Sequence, residues 1–387
     1  MRIVYLNKVK LDASIPAVNF SLGNVVGLAE SGAQTFFLAQ AESRTFDSER
    51  LFSQFHVDRA LPLTIRVFPS KRILGIRTNQ WFYLDACRAI REMHRSDAID
   101  AVISRDPGAL PYLVRLKRRL GIQVYYQPHN FYVDLALRDD VNPKNAKKYH
   151  VLEKRWIPKL DGLFCLQEPQ AQLFRTQFPG LRVIAAKPGL LSIQENRKRP
   201  PEQWLGYVGS LQFKKGIHTL LEAFLYLQDP KLKLVLVGGR NEREMAPVRE
   251  WIAQHHLNER IVITGWLSFD QVLEWLDQIF IGLLPLEDTF YNRYLTAPNK
   301  FFDYLSRGIP MVASDLPAIR DFDSNGSACL YFKAGDADQL AEQIRTLLNQ
   351  PKRYAQLSEN ALSLAHQYPW RRCGDVMTNA IRQQLSN

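Results

Sequence analysis

Short apolar segments alternate with amphipathic ones along the whole chain, a pattern that predicts parallel strands joined by helices. The strand-like segments of the first half are Arg2–Leu6, Thr35–Ala39, Ala101–Ser104, Val124–Gln127, Gly162–Leu166 and Val183–Ala186. Its helix-like segments are residues 17–30, 81–94, 110–120, 145–159 and 170–178. Residues 40–78 show no clear period. The pattern indicates an α/β domain with a mostly parallel sheet.

The second half repeats the alternation after a polar linker at residues 194–203, which contains two prolines. Its predicted strands are Leu205–Val208, Leu232–Val237, Ile261–Thr264, Phe280–Leu284 and Met311–Ser314. Its predicted helices lie near residues 216–228, 243–256, 270–277 and 298–307. We therefore expect two α/β domains, at residues 1–193 and 204–368, followed by a final helix at 369–387. Ligands of such folds bind beyond the carboxyl ends of the strands, so a cleft between the domains is the expected site.

One stretch, Leu295–Asp315, combines a polar loop, a helix, a glycine and a buried strand. Pro298 suits the first turn of the helix, because its missing N–H would be unpaired there. Gly308 is a typical left-handed terminator. The first amide groups of the helix would lie at the positive end of its dipole and could hold a diphosphate. The amides concerned belong to Ala297, Asn299 and Lys300. An ordinary helix with a proline start would have the same sequence.

A second junction, at residues 209–216, has the sequence GSLQFKKG between a predicted strand and a helix. A glycine lets the backbone approach a ligand closely, and Lys215 could reach the same ligand as a mobile cation. Alone, a solvated lysine is the simpler interpretation. Together, the two junctions could bind a diphosphate from two sides.

Charge is distributed unevenly along the chain, whose net formal charge is +11. Residues 1–195 hold 28 Lys and Arg against 18 Asp and Glu, and residues 196–387 hold 22 against 21. A basic domain attracts anions, and the sequence lacks zinc-finger spacing and RNA-recognition aromatics. We expect an anionic substrate or an anionic membrane surface as a partner, and no nucleic acid. The candidate contact is the run Arg115, Lys117, Arg118 and Arg119, although such runs are commonly solvated helix faces.

Cysteine usage and hydropathy bear on location and metal binding. The four cysteines are far apart and form no CxxC pair, which argues against a zinc site and a disulfide framework. No apolar run approaches the roughly 18 residues that span a bilayer, and the N-terminus lacks signal-peptide features. We expect a cytoplasmic protein, peripheral at the inner membrane face if its acceptor is a lipid.

Asp321-Phe322-Asp323 has the spacing of a metal-binding DxD, but its setting after a strand favours a turn, and we expect no metal.

The ordered motifs of the second half resemble those of the GT-B glycosyltransferases of family 4, also called group 1. The segments are GSLQFKKG, LVLVGGR, ITGWL and PNKFFDYLSRGIPMVASD. The first half resembles the family more loosely, through SRDPGALPYLVRLKRRLG, QPHN, VLEKRWIPKLDGLFCLQEP and PGLL. Tyr368-Pro369-Trp370 resembles the start of the family's last helix, which crosses back onto the first domain. The resemblance implies two Rossmann-like domains facing across a cleft.

The resemblance also implies residue roles. Lys215 matches the lysine that neutralises the donor diphosphate, and Asp303 matches a carboxylate that holds the donor ribose. His129 matches a first-domain histidine near the transferred sugar, although a capping or core histidine is the competing interpretation. These three are the predicted catalytic residues. The other implied donor contacts are Gly209, Ser210, Gly239, Trp266, Leu267, Thr296, Ala297, Pro298 and Asn299.

Three departures from the family pattern matter: Ser210 implies one missing phosphate contact, and Leu295 weakens the implied contact with the transferred sugar. Ser210 replaces an arginine, Leu295 replaces the first glutamate of the E-x7-E pair, and the glycine-rich first loop is absent. The polar residues that could compensate are Asn292, Arg293 and Lys300.

The resemblance implies a metal-independent, retaining hexosyltransferase that uses no cofactor. Its donor would be a nucleotide-diphosphate sugar, with a UDP-sugar favoured and GDP-mannose the alternative. Its acceptor would be lipid-linked or a saccharide. A GT-B sugar-nucleotide epimerase and an inactive nucleotide-sugar-binding protein are the two rival functions.

Overall fold

The computed structural model describes residues 1–11, 16–42, 46–55, 57–70, 72–73, 76–77, 79–195, 200 and 202–386. The chain divides into two compact units. Unit 1 consists of Met1–Leu191 and Tyr368–Asn387, and unit 2 consists of Ser192–Gln367. The predicted fold class is confirmed, because each unit is an α/β domain with its own parallel sheet.

Unit 1 contains a seven-stranded sheet with the order β3-β2-β1-β6-β7-β8-β9, and all its neighbouring strands are parallel. The strands are β1 (Arg2–Lys10), β2 (Gln34–Ala41), β3 (Leu63–Pro69), β6 (Ala101–Ser104), β7 (Gln123–Tyr126), β8 (Gly162–Cys165) and β9 (Val183–Ala185), with a separate antiparallel pair β4 (Arg72–Ile73) and β5 (Ile76–Arg77). The helices are α1 (Pro16–Glu30), α2 (Ser48–Gln54), α3 (Asn79–Ser96), α4 (Leu110–Leu120), α5 (Pro143–Trp156) and α6 (Glu168–Gln177). Every strand predicted in the first half is present, and β3 adds an edge strand that the sequence pattern missed.

Unit 2 contains a six-stranded parallel sheet with the order β12-β11-β10-β13-β14-β15. Its strands are β10 (Trp204–Val208), β11 (Lys233–Val237), β12 (Ile261–Gly265), β13 (Ile279–Leu284), β14 (Met311–Ser314) and β15 (Cys329–Phe332). Its helices are α7 (Ile217–Tyr226), α8 (Glu242–Gln254), α9 (Phe269–Gln278), α10 (Phe290–Tyr294), α11 (Asn299–Leu305), α12 (Pro317–Arg320), α13 (Ala337–Asn349) and α14 (Pro351–Ala365). The strand β15 was not predicted.

The strand order of each sheet reverses at one point. The reversal lies between β1 and β6 in unit 1 and between β10 and β13 in unit 2. Open α/β sheets bind ligands beyond the carboxyl ends of the strands at such a reversal. The residues that follow β6 and β10 are therefore the first places to look for a site within each unit.

The helix α11 is fixed against the sheet by its aromatic residues. Phe301 and Phe302 are buried, and the Tyr304 hydroxyl donates to the Gly206 carbonyl oxygen in β10 at 2.9 Å. Pro298 caps the helix instead of occupying its first turn, and the helix ends at Leu305, before the predicted stop. Its seven residues make a short dipole. Charged side chains must therefore supply most of the positive potential at this end.

The last helix, α15 (Trp370–Leu385), packs on α1 in unit 1. A Cβ on Gly374 would stand 1.9 Å from the Gly27 carbonyl oxygen, and one on Gly27 would stand 2.2 Å from the Trp370 carbonyl oxygen. The Trp370 ring meets Phe20 edge to face, with 5.4 Å between centroids. The two helix backbones are therefore in contact, which glycine on both helices permits.

We expect Gly374→Ala to lower the free energy of unfolding by about 1–3 kcal/mol, because the new methyl group must push the two helices apart. Urea denaturation measures the change. Gly180→Ala is the matched control, since its Cβ would meet nothing within 4 Å. Equal midpoints for the two variants would show that the helix contact is not tight.

Candidate functional site

Glycine loops of unit 2 meet at the carboxyl ends of its central strands. Gly209 follows β10, and Gly238 follows β11. The amide of Gly209 donates to the Val237 carbonyl oxygen at 2.8 Å. A Cβ on Gly238 would stand 2.1 Å from the Gly209 carbonyl oxygen. The loops touch backbone to backbone, an approach that only glycine permits.

The ammonium group of Lys300 lies against these loops and forms no ion pair with a described residue, although the charge of Asp303 acts on it. Lys300 is 8% exposed, and its Nζ lies 3.4 Å from the centroid of the Tyr207 ring. A Cβ placed on Gly209 would lie 3.2 Å from the same Nζ. Within the described part of the chain, Nζ has no hydrogen-bond partner. Burial, and then the charge of Lys215, hold the pKa of Lys300 well below its usual range.

Lys215 provides a second cation. It ends the one-turn 3-10 helix Phe213–Lys215, directly before α7, and its side chain is partly buried. Its Nζ lies 6.0 Å from the Tyr291 ring centroid and makes no hydrogen bond or ion pair with a described residue. Burial, and then the neighbouring Lys214, lower the pKa of Lys215 to about 8. Two interacting ammonium groups without ion pairs are suited to binding a multiply charged anion.

Asp303 lies on α11 beside Lys300 and completes this group. Burial raises the pKa of the Asp303 carboxyl to about 6, and the charges of Arg307 and then Lys300 oppose the rise. Its carboxylate accepts no hydrogen bond from the residues described here, whereas Arg307 pairs with Asp277 at 3.0 Å. Asp303 can therefore accept hydrogen bonds from a ligand with hydroxyl groups.

Asn292 supports the turn that carries Lys215. Its Nδ2 donates to the Lys214 carbonyl oxygen at 2.9 Å and to the Glu287 carbonyl oxygen at 2.8 Å. The residue is 1% exposed, and its Oδ1 is buried without a partner in the described structure. The two Nδ2 bonds give Asn292 a positioning role for the Lys214 turn, and the ligand contact expected from the sequence stays a prediction.

The other residues before α11 differ in how they face the solvent. Arg293 is exposed and forms an ion pair with Asp288. Leu295 is fully buried, and Thr296 is 3% exposed. A glutamate at position 295 would have to place a carboxylate in the apolar interior. The sugar-binding glutamate of the family pattern therefore has no equivalent at this position. Ala297 and Pro298 are partly exposed and Asn299 is exposed.

An aromatic surface borders the same loops. Trp266, directly after β12, is 48% exposed, and the Arg240 guanidinium carbon lies 6.0 Å from its ring centroid. Leu267 is partly exposed, and Gly239 has a φ of +103°. The Ser210 carbonyl oxygen accepts from the Tyr207 hydroxyl at 2.7 Å. A planar base could stack on the exposed indole.

Unit 1 contains the remaining predicted residues. His129, after β7, is exposed, and its Nδ1 lies 3.1 Å from Nη2 of Arg105. Arg115, Arg118 and Arg119 are exposed on α4. Lys117 differs, because its ammonium pairs with Asp161 at 2.9 Å. Its charge is therefore neutralised and contributes little to a basic surface.

Sequence reasoning missed several residues of these sites. Tyr207 lies near the end of β10, and Arg105 directly follows β6. Neither residue was among those predicted to contact the donor or the acceptor. The helix α5 packs beside α4 and adds five exposed cations. They are Lys144, Lys147, Lys148, Lys154 and Arg155. Their spacing on a polar helix could have revealed them.

The DxD segment forms a turn, as predicted. The Asp323 carboxylate accepts from the amides of Ser327 at 2.8 Å, Ala328 at 3.0 Å and Cys329 at 3.1 Å. Within the described ranges, no group of three or more His, Cys, Asp or Glu side chains could hold a metal ion. No helix in those ranges has the length and apolar character needed to cross a bilayer.

Both halves match glycosyltransferase families. Residues 202–350 match the glycosyl transferases group 1 family, and residues 19–187 match the glycosyl transferase 4-like domain. A curated relative, the alpha-D-kanosaminyltransferase of Streptomyces kanamyceticus, is 22% identical over 180 residues, which is 46% of this chain and 45% of that protein. The match thus spans less than half the length of the relative.

Solved glycosyltransferases share the whole fold. Sucrose-phosphate synthase from Thermosynechococcus elongatus has a TM-score of 0.77 at 16% identity, with 100% of both chains covered. Anabaena HepE in complex with UDP-glucose has a TM-score of 0.69 at 16% identity, covering 100% of this chain and 99% of its own. A variant of TarM from S. aureus, bound to alpha-GlcNAc-glycerol and UDP, has a TM-score of 0.75 at 10% identity, covering 98% and 100%.

Proposed function

We propose that this chain, which belongs to the group 1 glycosyltransferases with the GT-B fold, transfers a sugar from a nucleotide-diphosphate sugar to an acceptor. The observation that carries the proposal is the pair of ammonium groups on Lys215 and Lys300, neither of which forms an ion pair in the described structure. A diphosphate supplies the negative charge that these groups lack. Asp303 beside them accepts the ribose hydroxyls.

The proposed mechanism uses the lysines to stabilise the leaving group. Breaking the bond between the sugar carbon and the phosphate oxygen leaves negative charge on the nucleoside diphosphate. Lys215 and Lys300 are placed to neutralise that charge where it develops. The leaving phosphate oxygen accepts the proton of the acceptor hydroxyl as the new glycosidic bond forms. We propose that the anomeric configuration is retained and that no metal ion takes part.

A UDP-sugar is the favoured donor, because HepE binds UDP-glucose and the TarM variant binds UDP. Incubation with UDP-, GDP- and ADP-sugars, followed by NMR of the products, tests the function, the base and the anomeric outcome together. Transfer with retention is the expected result. An inverted linkage would refute the retaining mechanism. Epimerised donor without transfer would point to an epimerase, and binding without any reaction to an inactive nucleotide-sugar-binding protein.

Donor binding should depend on pH in a defined direction. The pKa of Lys215 is about 8 in the free protein, and a bound diphosphate favours the charged form, which raises that pKa. UDP affinity is therefore expected to fall above about pH 8, and binding near that pH should take up protons. Calorimetric titration in two buffers of different ionisation enthalpy measures the uptake. Proton release on binding would contradict the assignment.

We further propose that the acceptor is lipid-linked or a saccharide at an anionic membrane surface. The support is the exposed cationic face of α4 and α5, which also carries Tyr149 and Val151, 38% and 52% exposed. Basic residues near an anionic leaflet contribute about 1 kcal/mol each. The protein would then act at the inner face of a membrane.

We expect the double change Arg118→Ser and Arg119→Ser to lower the partition coefficient onto anionic vesicles, measured by sedimentation, by about tenfold or more. Lys352→Ser with Arg353→Ser, two exposed cations of α14 in unit 2, is the matched control. Equal partitioning of the wild-type protein onto anionic and neutral vesicles would reject the membrane proposal.

A further inference from the structure

Arg105 occupies the strand reversal of unit 1. It follows β6 directly, and its amide donates to the Leu6 carbonyl oxygen of β1 at 3.2 Å. Its guanidinium carbon lies 3.8 Å from the centroid of the Phe20 ring on α1. Stacking on an aromatic face fixes the plane of the guanidinium group. Arg105 is thus a conformationally restricted cation at the position where open α/β sheets bind ligands.

The guanidinium group of Arg105 forms no direct ion pair with a residue that the structure describes, although its charge acts on the adjacent, buried Asp106 carboxyl. Its Nη1 is buried and makes no hydrogen bond there. By contrast, Arg138 and Arg175 of unit 1 pair with the carboxylates of Asp140 and Glu168. The adjacent Asp106 instead accepts the Lys8 amide at 2.6 Å. A buried guanidinium N–H without a hydrogen-bond partner costs free energy, and a bound oxyanion would remove that cost.

The contact between Arg105 and His129 shows how charge is arranged here. Its Nη2 lies 3.1 Å from Nδ1 of His129. A guanidinium group can only donate, so Nδ1 must accept, and the ring proton of a neutral His129 is on Nε2. Protonation of Nδ1 would break this bond and place two positive charges together. The cation of this site is therefore Arg105, with His129 as its neutral neighbour.

We propose that Arg105 binds an oxyanion of the acceptor, a carboxylate or a phosphate group, and holds His129 in the Nε2–H form. This inference rests on the proposed glycosyl transfer. The planar guanidinium group offers paired donors that match both oxyanions. The acceptor of the reaction is accordingly an acidic molecule, which Arg105 orients within unit 1.

Histidine side-chain NMR of the full chain tests the inference without a known acceptor. Long-range nitrogen–proton spectra are recorded during titration with sodium phosphate or sodium acetate, with sodium chloride at equal ionic strength as the control. His129→Asn assigns the His129 signals. We expect the His129 signals of the wild-type protein to report the Nε2–H form and to shift saturably with phosphate or acetate. Sodium chloride should leave them in place.

The saturable shift should be lost in Arg105→Met and kept, at higher anion concentration, in Arg105→Lys. A response to phosphate alone indicates a phosphorylated acceptor, and one to acetate alone indicates an acidic sugar. An unresponsive His129 in the wild-type protein, or an equal shift in Arg105→Met, would overturn the inference. Thermal denaturation checks that both variants are folded. UDP binding to the wild-type protein is measured separately by calorimetry. If UDP did not bind while the His129 signals still responded to the anions, only the donor proposal would be overturned.

Discussion

Replacing Lys215 with alanine is expected to lower kcat with the active nucleotide-diphosphate sugar by about 100- to 1,000-fold. The ammonium group neutralises charge that develops on the leaving diphosphate, so its loss raises the barrier more than it weakens substrate binding. Folding should be little affected, because Nζ of Lys215 bonds no described residue. Steady-state kinetics and a thermal melt measure the two effects.

Lys214→Ala is the matched control for this change. Lys214 is the preceding residue and is exposed, and its contact with Asn292 uses its backbone oxygen, which the substitution keeps. We expect near-normal turnover. If Lys215→Ala turned over as fast as this control, Lys215 would not be the phosphate contact.

Replacing Lys300 with methionine is expected to change stability and binding in opposite directions. Removing a buried, unpaired ammonium group and filling its space with an apolar chain should raise the free energy of unfolding by about 1–3 kcal/mol. The same change should weaken UDP binding by about 10- to 100-fold, the typical loss for a hydrogen bond to a charged group. Urea denaturation and calorimetry provide the two readings.

Higher stability together with weaker UDP binding would distinguish a ligand-binding lysine from a structural one. If Lys300 stabilised the fold through Tyr207, the methionine variant would lose stability and keep its UDP affinity. Lys214→Met, in which an exposed lysine receives the same side chain, controls for the general effect of methionine. Destabilisation together with unchanged affinity would remove Lys300 from the donor site.

Much of the fold follows from the hydrophobic pattern because the central strands of a parallel sheet are buried on both faces. β13 is buried at all six positions, and β14 was predicted with its observed bounds. Besides the short pair β4 and β5, the pattern missed β3 and β15, which are edge strands of the two parallel sheets. β3 has a single buried position, so it lacks the continuous buried run that marks the central strands.

The sequence indicates only part of the proposed donor site, for a physical reason. Lys215 and Asp303 occupy family motifs that can be seen in the sequence. The contact between Lys300 and Tyr207 joins two distant strand ends, and no local pattern encodes it. The helix dipole predicted at Pro298 belongs to a helix of seven residues, so the lysines replace it as the main source of positive potential.

The orientation of the residues before α11 also required the structure. The sequence predicts Asn292 as a ligand contact, and the structure adds that its amide holds the Lys214 and Glu287 carbonyl oxygens. Leu295 stands at the position of a family glutamate, and it is completely buried. Sequence spacing locates such positions without showing whether they face the ligand or the core.

A crystal structure of the protein with UDP tests the central claim most directly. The account predicts that the diphosphate lies within hydrogen-bond distance of Nζ of both Lys215 and Lys300, with the ribose hydroxyls on the Asp303 carboxylate. A diphosphate bound away from both lysines, with their ammonium groups still unpaired, would contradict it.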